Sequence, residues 1–333
     1  MPVRHDRLPL MTGNLRTLDV DQGTKISDVL KAFESGNQDL LLIDENTVVT
    51  KPHLELLTDY PRTVTTALVS KIKNGETRVS QGRITGASSG IGLAYAKLLA
   101  REGFDLVLVA RDLPRLNKLA KELNKAHKVK VQTIKADLTK PAQLAKVERR
   151  LANKVNPIAV LINNAGFGIK QSFIDSDLKR EQELLDVLVT APMRLTHAVL
   201  PNMIKQNSGV VVNISSIASW IAGGTYSAAK SYLTVFSEYL NNELKGTKVK
   251  VSALCPGFTR TEFHQRGQMR MNGLPNFMWL DADKLVAKSW KDVQKNKSVS
   301  VPGMQYKILA LMAQYAPRPL VRKIGINVRR KQR

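Results

Sequence analysis

The chain has 333 residues, 43% of them hydrophobic and 24% charged, which is ordinary globular usage and excludes a collagen-like, disordered or disulfide-stapled chain. One cysteine, Cys255, leaves no internal disulfide, and five scattered histidines form no Cys/His cluster for a zinc module, so a reducing cytosol and no metal are expected. The net charge of +23 is uneven: residues 1–82 hold 10 Lys/Arg against 11 Asp/Glu, and residues 83–333 hold 41 against 17, a balance that suits anionic partners or a lysine-rich solvated surface.

The opening MPVRHDRLPLMTG lacks the apolar core of a signal peptide, and no run approaches the roughly eighteen apolar residues of a membrane span, so a cytoplasmic location is expected. Residues 39–44 (DLLLID) read as a buried strand, 53–59 as a short helix and 63–70 as another strand. Residues 1–76 therefore form an α/β fragment of their own. The fragment resembles, faintly, the opening of nucleotidyltransferase-like domains, in which an acidic residue such as Asp44 ends a strand near a metal-bound nucleotide; Asp44 as a solvated strand end is the plainer alternative.

The next segment, ETRVSQGRI (76–84), offers only Val79 and Ile84 to a core, whereas a strand buried on both faces is normally an almost continuous apolar run. Ser80, Gln81 and Arg83 fall in a crowded centre there, each costing about 1–3 kcal/mol if unpaired. This is the mark of a seam, such as a gene fusion leaves. Beyond it, apolar runs alternate with amphipathic segments. Strands are expected at 105–110, 129–136, 159–162, 209–214, 249–254 and 299–301, and helices at 89–101, 114–123, 141–151, 178–206, 226–244 and 283–293. With right-handed crossovers this is an α/β fold, a doubly wound parallel sheet of Rossmann type, over residues 77–303, followed by a basic helix and tail at 304–333.

The segment TGASSGIG places Gly86, Gly90 and Gly92 between the first strand and the first helix. Such a turn allows a close approach to a pyrophosphate, which the N–H groups and dipole of the helix N-terminus then stabilise. Arg111 stands at the end of the second strand, where an acidic residue would hold the ribose of NAD and an arginine accommodates a 2′-phosphate. NADP is thus expected over NAD, unless Arg111 only pairs with a nearby carboxylate. Tyr226 and Lys230, four apart on a helix, share one face. An ammonium beside a phenol lowers its pKa from about 10 and fits it for proton exchange with a substrate oxygen.

TGASSGIG, the run NNAG at 163–166, YSAAK at 226–230 and CPG at 255–257 occur in the order of the short-chain dehydrogenase/reductase family, which the chain resembles over about residues 84–303. The resemblance implies an NAD(P)-dependent oxidoreductase, commonly a homo-oligomer, interconverting a small-molecule alcohol and carbonyl. It implies cofactor contacts from Gly86, Ser88, Ser89, Gly90, Ile91, Gly92 and Arg111, from Asp137 and Leu138 at the adenine, and from Asn163, Ala165 and Gly166 at the adenosine side. Tyr226, Lys230, Pro256, Gly257, Thr259 and Thr261 would then serve the nicotinamide end. Tyr226 would be the acid/base and Lys230 its partner, with Ser216, ten residues before Tyr226, orienting the substrate oxygen; Ser215 is the alternative. Leu188 departs from the family, which usually has an asparagine there to hold a water behind the lysine.

Phe263, Met269, Met271, Phe277, Met278 and Trp279 lie in the segment that closes over substrate in the family and suit an apolar, bulky compound, or simple packing of a lid. Cys255 reads as a buried small hydrophobe. Residues 288–333 hold 12 Lys/Arg and one acid, and an apolar segment before a polybasic end fits contact with an anionic membrane surface, or a solvated tail. No nucleic-acid motif or stacking aromatic cluster accompanies these charges, so no nucleic-acid partner is expected. The alternative to an active enzyme is a catalytically impaired fusion that binds only nucleotide or a partner.

Overall fold

A computed structural model of the chain describes the strand residues 15–18, 40–44, 47–50 and 67–70, and then residues 81–267, 274–317 and 319–323. The chain divides into two units, 1–78 and 79–333. In the first, β1 (Leu15–Leu18), β2 (Leu40–Asp44), β3 (Thr47–Thr50) and β4 (Ala67–Ser70) pair in the order β1-β4-β2-β3. All of these pairings are antiparallel. The strands expected at 39–44 and 63–70 correspond to β2 and β4, and the helix expected at 53–59 lies outside the described residues.

The second unit alternates β5 (Gln81–Thr85), α1 (Gly90–Arg101), β6 (Asp105–Ala110), α2 (Leu113–His127), β7 (Val131–Lys135), α3 (Pro141–Leu151) and β8 (Ile158–Asn163). A long helix follows, made of α4 (Leu178–Leu185), a π-turn (Asp186–Thr190) and α5 (Ala191–Lys205). Then come β9 (Gly209–Ile214), α6 (Thr225–Glu243), β10 (Val249–Leu254), the one-turn α7 (Phe263–Arg266), α8 (Ala282–Gln294), β11 (Val299–Ser300) and α9 (Met304–Tyr315). The seven strands are parallel in the order β11-β10-β9-β8-β5-β6-β7. Winding reverses between β5 and β8, and in open sheets of this kind the crevice beyond the carboxyl ends at the reversal receives ligands.

Alternation along the strands builds two cores. Ile84, Leu106 and Leu108 face the layer of α1, α2 and α8, while Val107, Val109 and Leu161 face that of α3, α5 and α6. The same period of two sends Arg83, one residue before Ile84, into the second core. Arg83 is 0% exposed. Its Nη1 donates to Val147 O at 3.0 Å, whereas Nε and Nη2 have no partner. Burial, with the charge of Arg150 second, lowers its guanidinium to about 9, so at neutral pH the core holds a cation. Gln81 fares better, because Arg150 donates to its side-chain oxygen; Ser80 lies outside the described residues. β5 therefore keeps its place between β6 and β8 in spite of its polar sequence, because a parallel strand's ladder bonds are made by the backbone, whatever the side chains are.

The helix expected at 178–206 runs its full length, interrupted only where the Ala191 N–H reaches back five residues to Asp186 O. Among the described residues no helix is long and apolar enough to cross a membrane.

Replacing Arg83 with Met removes a buried, partly unpaired charge while filling a similar volume. A gain of about 1–3 kcal/mol is expected, which at about 2–4 °C per kcal/mol raises the thermal midpoint by several degrees in differential scanning fluorimetry. An unchanged or lower midpoint would mean that the guanidinium is adapted to its site.

Candidate active site

A cavity of about 1300 Å³ opens beyond the carboxyl ends of the strands. At one end the chain leaves β5 through Gly86 and enters α1 at Gly90, both left-handed with φ of 63° and 56°. A Cβ on Gly92 would stand 2.4 Å from Gly86 O and 2.5 Å from Asn164 Nδ2, so only glycine lets the turn close. Ser89, at the N-cap of α1, makes no side-chain bond to the first turn. The positive end of the helix therefore faces the cavity, as anion binding requires. Thr85 Oγ1 accepts the N–H groups of Asn164 and Ala165 at 2.9 and 3.1 Å, and Asn164 Nδ2 donates to the carbonyls of Thr85 and Gly86 at 3.0 and 3.1 Å. These bonds lock the ends of β5 and β8 together.

Of the residues expected around a cofactor, all but Gly92 and Asn163 line this cavity. Gly92 acts one layer behind, as packing. Asn163 ends β8 with its side chain turned into the core, where Nδ2 donates to Thr196 Oγ1 at 3.1 Å and Asn213 Oδ1 at 2.9 Å. The side chain expected at the adenosine side is thus spent within the core, and its neighbour Asn164 lines the cavity. Arg111 is exposed. The nearby Asp112 is occupied as the N-cap of α2, accepting the Arg115 N–H at 3.0 Å. Asp137 Oδ1 accepts both the N–H and the hydroxyl of Thr139, at 3.0 and 2.8 Å.

At the other end α6 presents Tyr226 and Lys230. Lys230 is 4% exposed; its Nζ donates to Ile214 O at 2.6 Å and lies 5.5 Å from the centre of the Tyr226 ring. Burial lowers its ammonium to about 8. Of the two serines that follow β9, Ser215 is buried and spends its hydroxyl on Lys230 O and Thr234 Oγ1, both at 2.7 Å. Both serines line the cavity; Ser216 only accepts, from the Ala218 N–H at 3.1 Å. Cys255 is fully buried beside Thr234, and burial pushes its thiol up to about 11, as befits a small hydrophobe.

Above the site, Phe263 stands 6.0 Å from Tyr226, and His264 lies among Phe258, Phe263 and Trp279 at 5.9, 5.5 and 5.4 Å. Phe263, His264 and Met278 line the cavity, whereas Phe277 is exposed; Met269 and Met271 lie outside the described residues. Leu188 sits in the π-turn, buried against Gly166, where a Cβ would stand 2.8 Å from Leu188 Cδ2. The helix irregularity thus persists with leucine in place of the expected asparagine. Sequence reading missed the part played by α9, whose Leu309, Met312 and Ala313 complete the cavity wall. Its signal was the apolar spacing Tyr306, Ala310, Ala313, submerged in an otherwise apolar helix. Tyr306 is buried against Gly257, where a Cβ would stand 2.1–2.3 Å from the ring carbons.

A glycine turn at a helix N-terminus, a buried lysine beside a tyrosine and a doubly wound sheet together define an NAD(P)-binding oxidoreductase. The family model for short chain dehydrogenases matches residues 83–271, and the chain belongs to that family. A short-chain dehydrogenase from Sphingobium yanoikuyae, solved in complex with NADPH, is 37% identical with a TM-score of 0.65, covering 71% of this chain and 93% of the other. The bulky-bulky ketone specific alcohol dehydrogenase from Comamonas testosteroni is 34% identical with a TM-score of 0.63, covering 72% and 93%. Ketoacyl reductase HetN of Nostoc is 33% identical over 221 residues, 66% of this chain and 76% of its own. The family match begins at residue 83, so the nucleotidyltransferase resemblance of residues 1–76 gains no support.

Replacing Arg111 with Asp puts a carboxylate at the position expected from the sequence to meet a 2′-phosphate. The ratio of NADPH to NADH affinity, measured by fluorescence titration, is expected to fall by about 10–100-fold, the worth of a charge-assisted hydrogen bond at about 1.5–3 kcal/mol. Equal affinities in the unaltered protein would remove the basis for an NADP preference.

Proposed function

We propose that the protein is an NADP(H)-dependent oxidoreductase interconverting a bulky, apolar carbonyl compound and its alcohol, with Tyr226 as acid/base. The observation that carries this reading is the pairing of Tyr226 with a buried Lys230 on the wall of the cavity that also contains the glycine turn. The nicotinamide, when bound, supplies or accepts the hydride at the substrate carbon. Ser216 donates a hydrogen bond to the substrate oxygen and fixes its position. Tyr226 gives its phenolic proton to that oxygen as negative charge develops, completing the alcohol, and takes it back in the reverse direction. Lys230, held by Ile214 O, stabilises the phenolate through its positive charge. Because its ammonium titrates at about 8, that charge is largely present at neutral pH.

Support for NADP(H) comes from Arg111 and from the NADPH complex of the Sphingobium relative. Support for a bulky substrate comes from the apolar lid and from the Comamonas enzyme's described preference. Exposed Met193 on α5 and Val235 and Tyr239 on α6 suit a homo-oligomer, and the buried, unpaired Cys255 suits a cytoplasmic location. A second reading, a fusion that binds nucleotide without efficient turnover, draws on Leu188, which offers no polar atom to a water behind Lys230, and on the buried Arg83.

Tyr226→Phe removes only the transferable proton. Turnover of a bulky ketone with NADPH, followed at the absorbance of the reduced cofactor, is expected to vanish while the affinity for NADPH stays within about twofold, against the factor of about 10²–10⁴ assigned to positioned proton transfer. Retained turnover would exclude Tyr226 as the acid.

The two readings separate at Leu188. Leu188→Asn restores a polar atom in the π-turn and is expected to raise steady-state turnover about tenfold, within the same range for proton transfer. If the unaltered protein already turns over near the ordinary rate of about 10 s⁻¹ and the substitution leaves it unchanged or lower, another group supplies the relay.

A further inference from the structure

The outer face of α9 is apolar and uncovered within the described residues. Tyr306 and Ala310 hold the helix to the unit: Tyr306 is buried, its hydroxyl accepting the Phe258 N–H at 3.0 Å and donating to Met278 O. Opposite them, Met304, Ile308, Leu311, Met312 and Tyr315 follow the spacing of a single helical face, and they are 68%, 52%, 54%, 55% and 82% exposed. Single exposed apolar residues are normal, but a continuous stripe of five marks a contact surface.

Charge decides what covers it. Lys307 is exposed beside the stripe, and Arg322 and Lys323 are exposed just beyond it. In sequence, residues 304–333 hold eight Lys/Arg and no Asp or Glu. A second copy of the chain laid on this face would bring two basic ends together, whereas an anionic surface neutralises them. An apolar helical face flanked by cations is the design of a helix that lies in the plane of a membrane interface.

We infer that α9 docks on an anionic phospholipid bilayer. The helix is fixed to the unit, so docking also orients the protein. Leu309, Met312, Ala316 and Leu320 line the cavity and three of them are also exposed, so the docked face carries the cavity mouth. An apolar substrate then enters from the lipid side. That route rests on the substrate class proposed above; the docking itself does not.

The test is sedimentation of the full chain with vesicles of phosphatidylcholine alone or of equimolar phosphatidylcholine and phosphatidylglycerol. Binding is expected to the anionic vesicles, about tenfold weaker to the neutral ones, and to fall as salt rises. The combined variant Ile308→Ser, Leu311→Ser, Tyr315→Ser, and separately Arg322→Gln with Lys323→Gln, are each expected to lower binding by about tenfold. NADPH titration should stay unchanged in both and report an intact fold. No binding of the unaltered protein to anionic vesicles, or equal binding of the variants, overturns the proposal. A dimer of the unaltered protein that the triple serine variant splits, without vesicle binding, also overturns it and assigns the face to a second copy. Vesicle binding by a protein with no affinity for NADPH upholds the docking and removes the reductase reading.

Discussion

The site depends on how closely two strand ends approach each other. Thr85 and Asn164 join the carboxyl ends of β5 and β8, and the absence of a Cβ at Gly86 and Gly92 lets the turn fold down onto that junction. Everything that makes the cavity a nucleotide site follows from this clamp. It sets where α1 begins, hence where its positive end points, and it keeps the reversal of the winding open to ligand. The clamp uses backbone groups, the Thr85 hydroxyl and one amide, so it survives the polar residues that precede it in β5.

A second network holds the chemical end of the site. Asn163, Asn213 and Ser237 form a buried chain of hydrogen bonds from β8 through β9 to α6, and Ser215 and Thr234 continue it around Lys230. These groups fix α6 against the sheet, so the phenol of Tyr226 and the ammonium of Lys230 are placed by many small interactions. Buried polar groups contribute such definition only when partnered. Asn163 leaves its Oδ1 without a partner, and Arg83 has two unpartnered nitrogens.

Much of this was legible in the sequence. The alternation of apolar runs and amphipathic segments located the other six strands of the large sheet to within a few residues, because parallel strands covered on both faces are mostly apolar; the polar β5 was placed by the glycine turn that follows it. The glycines and the Tyr–Lys spacing were legible because their geometry is local. Asn163 and Asn164 show where locality fails. They are adjacent and identical, and only the phase of β8 decides which one turns into the core. Ser215 and Ser216 both reach the cavity, and only Ser215 spends its hydroxyl on α6. Leu188 occupies a π-turn that its own side chain does not require, so nothing at that position announced it. The placement of α9 depends on a contact 49 residues apart, Tyr306 against Gly257, and no pattern within the helix marks which of its apolar residues makes that contact.

Arg83 bears on the history open to the protein more than on its chemistry. Natural domains sit only slightly above the stability that function requires, so the number of substitutions a chain tolerates depends on its margin. A cation enclosed beneath Val147 with two unpartnered nitrogens narrows that margin for the second unit, so a further loss that a wider margin would absorb becomes damaging. Tolerance of change elsewhere in the unit is therefore tied to position 83, and an apolar replacement there widens it.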